Sequence, residues 1–121
     1  MRNITQLLQQ VKSHENYHAV GMILCHNGVV RKTSRNGRLI KEITVTADWT
    51  RLDETIRKAK KRPGIVEVLA DIREGRLFAG EDIMYVVVAG DIRENVFAVL
   101  MDTVNEIKAE VTKKEEVYDE C

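Results

Sequence analysis

Apolar and polar positions follow two periods along this chain, and the switches between them mark its elements. From Ile83 to Ala89 it reads IMYVVVA, a near-continuous apolar and β-branched run, which predicts a strand covered on both faces. Beyond it Phe97, Leu100, Met101, Val104, Ile107 and Val111 recur at helical spacing, predicting a helix with one apolar face. Asp91 followed by Glu94 predicts a capping box at that helix's start. Near the other terminus Ile4, Leu7, Leu8 and Val11 form a helical stripe behind an Asn3–Gln6 box, and that helix ends within 13–17. Ala19 to Leu24 reads as a buried strand that stays extended through Val30, and Leu39 to Ala47 alternates as its return strand. Between them Asn36-Gly37 predicts a tight turn, since both residues accept positive φ. The expected product is a long hairpin with a basic tip, RKTSRNGR, at 31–38.

Asp48 is placed to cap a second helix bearing Trp49, Leu52, Ile56 and Ala59, which Pro63-Gly64 stops. The cations Arg57, Lys58, Lys60, Lys61 and Arg62 at its end complement the helix dipole and read as ordinary helix design. Ile65 to Ile72 is a strand, and the turn at 73–76 leads through Leu77-Phe78 and Gly80 to the strand at 83–89. The predicted order is α-β-β-α-β-β-α, an α+β fold with helices packed on a mainly antiparallel sheet. We expect a single domain over 1–121.

Nineteen basic residues balance nineteen acidic ones, so no global field argues for nucleic acid or a membrane surface. The apolar runs are far short of a membrane span, and MRNITQLLQQ lacks a signal-peptide core. With Cys25 and Cys121 the only cysteines, and far apart, a reduced, cytoplasmic protein is expected.

His14-Glu15-Asn16-Tyr17-His18 matches H-E-x-x-H, in which two histidines on one helix bind zinc and the glutamate acts as base. Here a strand begins just after His18, His26 lies past its apolar run, and no third ligand follows in pattern, so no metal site is expected. No G-x-S-x-G or P-loop is present, and no cysteine is placed with a histidine as a convincing nucleophile pair. What remains is a set of cations near element ends: Arg31, Arg93, Lys108 and Lys113-Lys114. Each alone reads as a solvated surface charge, whereas several converging would bind a phosphate.

The run from Arg73 to Arg93 resembles the catalytic (large) subunit of molybdopterin synthase. That family's pattern approximates H-R-I-G-x-L-x-x-G-[DE]-x-x-x-x-V-x-V-x-[SA]-x-H-R, matched by Arg73, Gly75, Leu77, Gly80, Glu81, Val86, Val88 and Arg93. Phe97 and Lys108 follow in the expected places, and Gly28-Val29-Val30-Arg31 is similar to the family's G-x-V-R. The resemblance spans roughly residues 18 to 116 and implies an α/β-hammerhead fold, a homodimer, and a small ubiquitin-like sulfur carrier whose C-terminal Gly-Gly tail enters the site. It further implies sulfur transfer from the carrier's thiocarboxylate to cyclic pyranopterin monophosphate, with Arg31 and Arg93 binding substrate and Lys108 and Lys114 catalytic. No cofactor is implied.

Three departures stand out. Ile92 and Ile72 replace the pattern's histidines, the loop after the third family strand shrinks to Thr46-Ala47-Asp48, and Lys114 matches the second family lysine only across a one-residue deletion. A helix continuing from Lys108 to Lys114 would turn them about 240° apart, so both face one pocket only if it ends near Val111. The alternatives are a non-catalytic paralogue keeping the dimer or carrier surface, an anion- or nucleic-acid-binding module using the basic tip, and a zinc hydrolase.

Overall fold

A computed structural model describes residues 1–119, and Cys121 lies outside them. The elements are α1 (Ile4–Lys12), β1 (Met22–Val29), β2 (Ile40–Ala47), α2 (Trp49–Lys60), β3 (Ile65–Ile72), β4 (Gly75–Leu77), β5 (Asp82–Gly90), α3 (Arg93–Glu106) and β6 (Thr112–Tyr118). A short 3₁₀ turn, Tyr17–Ala19, precedes β1, and one wide π turn, Ile107–Val111, joins α3 to β6.

β5 is the centre. It pairs antiparallel with β1 on one side and β3 on the other, giving the order β1-β5-β3. Alternation along β5 sends Met84, Val86 and Val88 into the main core and Tyr85, Val87 and Ala89 towards α1. Both faces are therefore covered, which is why the apolar run is nearly unbroken. α1 closes the first face through Leu7 and Val11, its start fixed by the reciprocal bonds Gln6 N to Asn3 Oδ1 (2.8 Å) and Asn3 N to Gln6 Oε1 (2.9 Å). α2 packs on β3, and α3 packs on β5 and β1.

A second sheet, ordered β4-β2-β6, adds Ile43, Val45 and Leu77 to the main core. β4 and β6 extend the predicted order. The helix ends at Val111, so the chain turns and runs back along β2, from Thr112 opposite Ala47 to Tyr118 opposite Ile40.

The predicted β1–β2 hairpin does not form. β1 pairs with β5 throughout, and both edges of β2 are taken by β4 and β6. Only the tip closes locally, through a bridge between Thr33 and Leu39 and a bond from Gly37 N to Ser34 O of 3.0 Å. Burying the apolar face of β1 against α3 outweighs local pairing. Only Gly37 of the Asn36-Gly37 pair takes positive φ.

α3 is also rotated from its predicted phase. Val96, Val99, Thr103 and Ile107 are buried, whereas Phe97 and Met101 are 53% and 67% exposed. The Asp91–Glu94 box is absent too. Asp91 N is tied to Gly64 O (2.9 Å), keeping Asp91 in the extended chain, and the helix starts one residue later, capped at Ile92. The Asp91 carboxylate instead accepts from Ile92 N (2.7 Å) and Asn95 Nδ2 (2.9 Å). Gly64 permits this contact, because its φ is +78° and an added Cβ would lie 2.2 Å from Asp91 Oδ1.

Leu7 and Ile107 are both 0% exposed, one on each side of the β5 sheet. Leu7→Ala and Ile107→Ala should each cost about 2–5 kcal/mol in urea unfolding followed by circular dichroism. Losses below about 1 kcal/mol would show that those layers are not closed as described.

Candidate functional site

Each predicted site cation sits where an element ends. Arg31 follows Val30, whose backbone is clasped on both sides: Val30 N donates to Glu81 O and Gly80 N donates to Val30 O, each at 2.9 Å. Its side chain is exposed and makes no salt bridge among the described residues. Arg93 opens α3, exposed, with Nε 3.6 Å from Glu94 Oε1. Lys108 lies in the wide turn after α3, also exposed. Lys114 stands opposite Val45 and so shares the core-directed face of its sheet, whereas Lys113, opposite Thr46, takes the outer face. The helix thus ends where two facing lysines would require.

The arginines are not brought together within one chain. Met22 pairs with Gly90 at one end of β1 and Val29 with Asp82 at the other. Arg93 follows the first end and Arg31 the second. Eight strand residues at about 3.3 Å each separate them by roughly 25 Å. Lys108 lies in the turn beyond the far end of α3 from Arg93.

His26 is a residue that sequence reasoning considered only as a metal ligand and set aside. It pairs with Val86, and so shares the inward face with Leu24, opposite Val88. Its Nε2 is shielded from solvent and has no hydrogen-bond partner among the described residues. Burial, and then the Lys108 charge, holds its imidazole below the usual value. The period-2 phase of β1 would have exposed this placement.

The zinc-motif residues fall off the helix, which ends at Lys12. His14 Nδ1 accepts from Asn16 N (3.0 Å), its Nε2 is 3.9 Å from Glu67 Oε2, and His18 is in the 3₁₀ turn. Among the described residues no group of three histidine, cysteine or acidic side chains is arranged to hold a metal. The cations ending α2 are paired structurally: Lys58 with Glu106 (2.6 Å), Lys60 with Glu67 (2.8 Å) and Arg62 with Asp102 (2.9 Å). An open groove of about 550 Å³ between α2 and α3 is lined by two of these pairs and does not include Lys108. Its charges neutralise one another, so the chemistry is better sought at the lysine-bearing turn.

The fold is an α/β-hammerhead-like α+β sandwich whose exposed functional groups are amines and guanidiniums at element ends. The chain belongs to the MoaE protein family, whose model matches residues 2–110. Molybdopterin synthase from Staphylococcus aureus superposes with a TM-score of 0.79 at 18% identity, over 98% of this chain and 88% of that one. The MoaE protein of Burkholderia ambifaria gives 0.76 at 20% identity, over 97% and 82%. A complex of subunits 1 and 2 of the molybdopterin-converting factor of Helicobacter pylori gives 0.70 at 18% identity, over 98% and 85%. No curated protein matches the chain. Family membership supports a role in molybdenum cofactor biosynthesis. No helix among the described residues is long and apolar enough to cross a membrane.

Because the folded-state value of His26 is lowered from 6.5, the unfolded chain binds this proton first as pH falls. Its contribution to stability is complete above about pH 6.5 and is lost as pH drops towards the folded value. His26→Gln should flatten the dependence of the urea midpoint on pH between about 7 and 5. An identical slope in the variant would contradict the burial of this imidazole.

Proposed function

We propose that this chain is the catalytic large subunit of a molybdopterin synthase. In this reading it moves sulfur from the C-terminal thiocarboxylate of a small ubiquitin-like carrier ending in Gly-Gly onto cyclic pyranopterin monophosphate. The observation that supports this is the end of α3, where a wide turn holds an exposed Lys108 and leads into β6, on which Lys114 stands opposite Val45. An amine there can lie beside the acyl carbon of an inserted tail, while a guanidinium such as Arg31 or Arg93 holds the cyclic phosphate bidentately. The Helicobacter pylori relative was solved as a complex of two subunits, which supports a small-subunit partner for this chain.

The roughly 25 Å between Arg31 and Arg93 makes the pocket a property of two chains. One phosphate meets both arginines only if Arg93 comes from a second copy. The surface that such a copy would cover is the outer side of α3, where Ile92, Phe97 and Met101 are all more than half exposed. A second reading, a paralogue that binds the carrier without turnover, is favoured by one feature: Ile92, in the family's histidine position, is apolar and 53% exposed.

Light scattering at micromolar concentration should report a mass twice the 13.8 kDa chain, and a monomer would count against the paired site. With thiocarboxylated carrier and cyclic pyranopterin monophosphate, Lys108→Ala should reduce turnover about 100-fold or more with the fold intact. Undiminished activity in that variant would remove Lys108 from the chemistry. Carrier binding without wild-type turnover would favour the paralogue.

A further inference from the structure

We propose that Glu74 is a positioning residue for the lysine-bearing turn: its carboxylate clamps the short corner between β2 and α2, and that corner fixes where Lys108 and Lys114 stand. The inference rests on the sulfur-transfer reading above and adds a residue to it.

Two donors of the corner meet one carboxylate. Ala47 N donates to Glu74 Oε2 at 3.0 Å, and Trp49 Nε1 donates to Glu74 Oε1 at 2.8 Å. Ala47 ends β2 and Trp49 opens α2, so Glu74 holds the chain on both sides of Asp48. The Ala47 N–H, and then the indole, keeps the Glu74 carboxyl below its usual value, so the acceptor is ionised at neutral pH. The backbone ladder between β2 and β4 stops at Val45 opposite Gly75. Glu74, the adjacent residue, carries the pairing further along β2 with its side chain.

The clamped corner in turn grips the end of α3. Asp48 N donates to Val111 O at 2.9 Å, Ala47 pairs with Thr112, and Arg51 Nη2 stands 3.9 Å from Glu110 Oε2. Residues 110–112 are thus held one after another from the start of α2. Thr112 N closes the wide turn on Ile107 O, and Ile107 is fully buried. Lys108 lies between these two fixed ends, and the point where β6 begins sets the phase that puts Lys114 opposite Val45. Both halves of the clamp are departures from the family pattern. Glu74 stands where H-R-I-G has isoleucine, and the corner it holds is the loop shortened to Thr46-Ala47-Asp48. An isoleucine at 74 could accept neither bond, so the carboxylate compensates for the shortened loop.

The test has two arms, both on the full chain. In the first, the single tryptophan gives one indole N–H signal by NMR, and amide exchange is followed at Ala47 and Asp48. Glu74→Ala should move the indole signal upfield and speed exchange at Ala47. It should also speed exchange at Asp48, whose own acceptor is Val111 O, by about tenfold or more. Wild-type exchange at Asp48 overturns the proposal, because the corner would then grip the turn without Glu74. In the second arm sulfur transfer is measured with carrier and cyclic pyranopterin monophosphate. Glu74→Ala should lower kcat about tenfold or more at unchanged carrier KM, as displacing a catalytic group does. Glu74→Gln, which keeps one accepting oxygen, should fall between wild type and Glu74→Ala in both arms, and it decides the matter if the alanine variant does not fold. Wild-type kcat in Glu74→Ala overturns the proposal. So does a rise in carrier KM alone, which would make Glu74 a carrier contact instead. If the wild-type chain transfers no sulfur, the sulfur-transfer reading fails by itself, and the exchange arm still decides whether Glu74 holds the lysine-bearing turn.

Discussion

The antiparallel pairing of β1 with β5 is the constraint on which the rest depends. It places β5 in the middle of a sheet, so Met84, Val86 and Val88 must find cover on one face and Tyr85, Val87 and Ala89 on the other. α1 supplies one cover, and α2, α3 and the second sheet supply the other. The same pairing fixes distances. Because β1 runs along β5, Arg31 and the start of α3 stand at opposite ends of the pair.

Much of this was legible in the residues. The Asn3–Gln6 box, the Pro63-Gly64 stop and the strand from Ile65 to Ile72 are local signals, and the structure has all three. What failed were the readings that depend on partners distant in sequence. Asn36-Gly37 is a true turn, but a turn cannot say whether its flanking strands pair with each other, and here β5 claims β1. The stripe on α3 was misphased because Phe97 and Met101 are as apolar as Val96 and Val99. Composition cannot tell a core-facing valine from an apolar residue left for another surface. β6, TKKEEVY, carries four charges in seven residues and has little strand character alone. It becomes a strand because the helix stops and the edge of β2 is waiting.

The candidate site divides along the same line. Arg31, Arg93, Lys108 and Lys114 were found by resemblance and by their positions at element ends, which are local properties. Their grouping was not legible, because it is set by strand length and by the wide turn at 107–111. Within one chain the geometry sets Arg93 beyond one end of β1 and Arg31 beyond the other. The inward placement of His26, opposite Val86, is a matter of phase: one residue earlier or later on β1 the ring would point towards α1. In the proposed two-copy arrangement the exposed Ile92, Phe97 and Met101 are the apolar surface, next to Arg93, that a second copy would cover.

A site assembled from two copies has a direct test in complementation. Arg93→Ala and Lys108→Ala chains, each inactive in sulfur transfer, would be co-expressed with different tags and the mixed dimers allowed to form. If Lys108 of one copy works with Arg93 of the other, every mixed dimer holds one intact site. The mixture should then regain about a quarter of wild-type activity, since about half of randomly paired dimers are mixed. If all the site cations served within a single chain, the mixture would be as inactive as either parent, and that result would contradict the account.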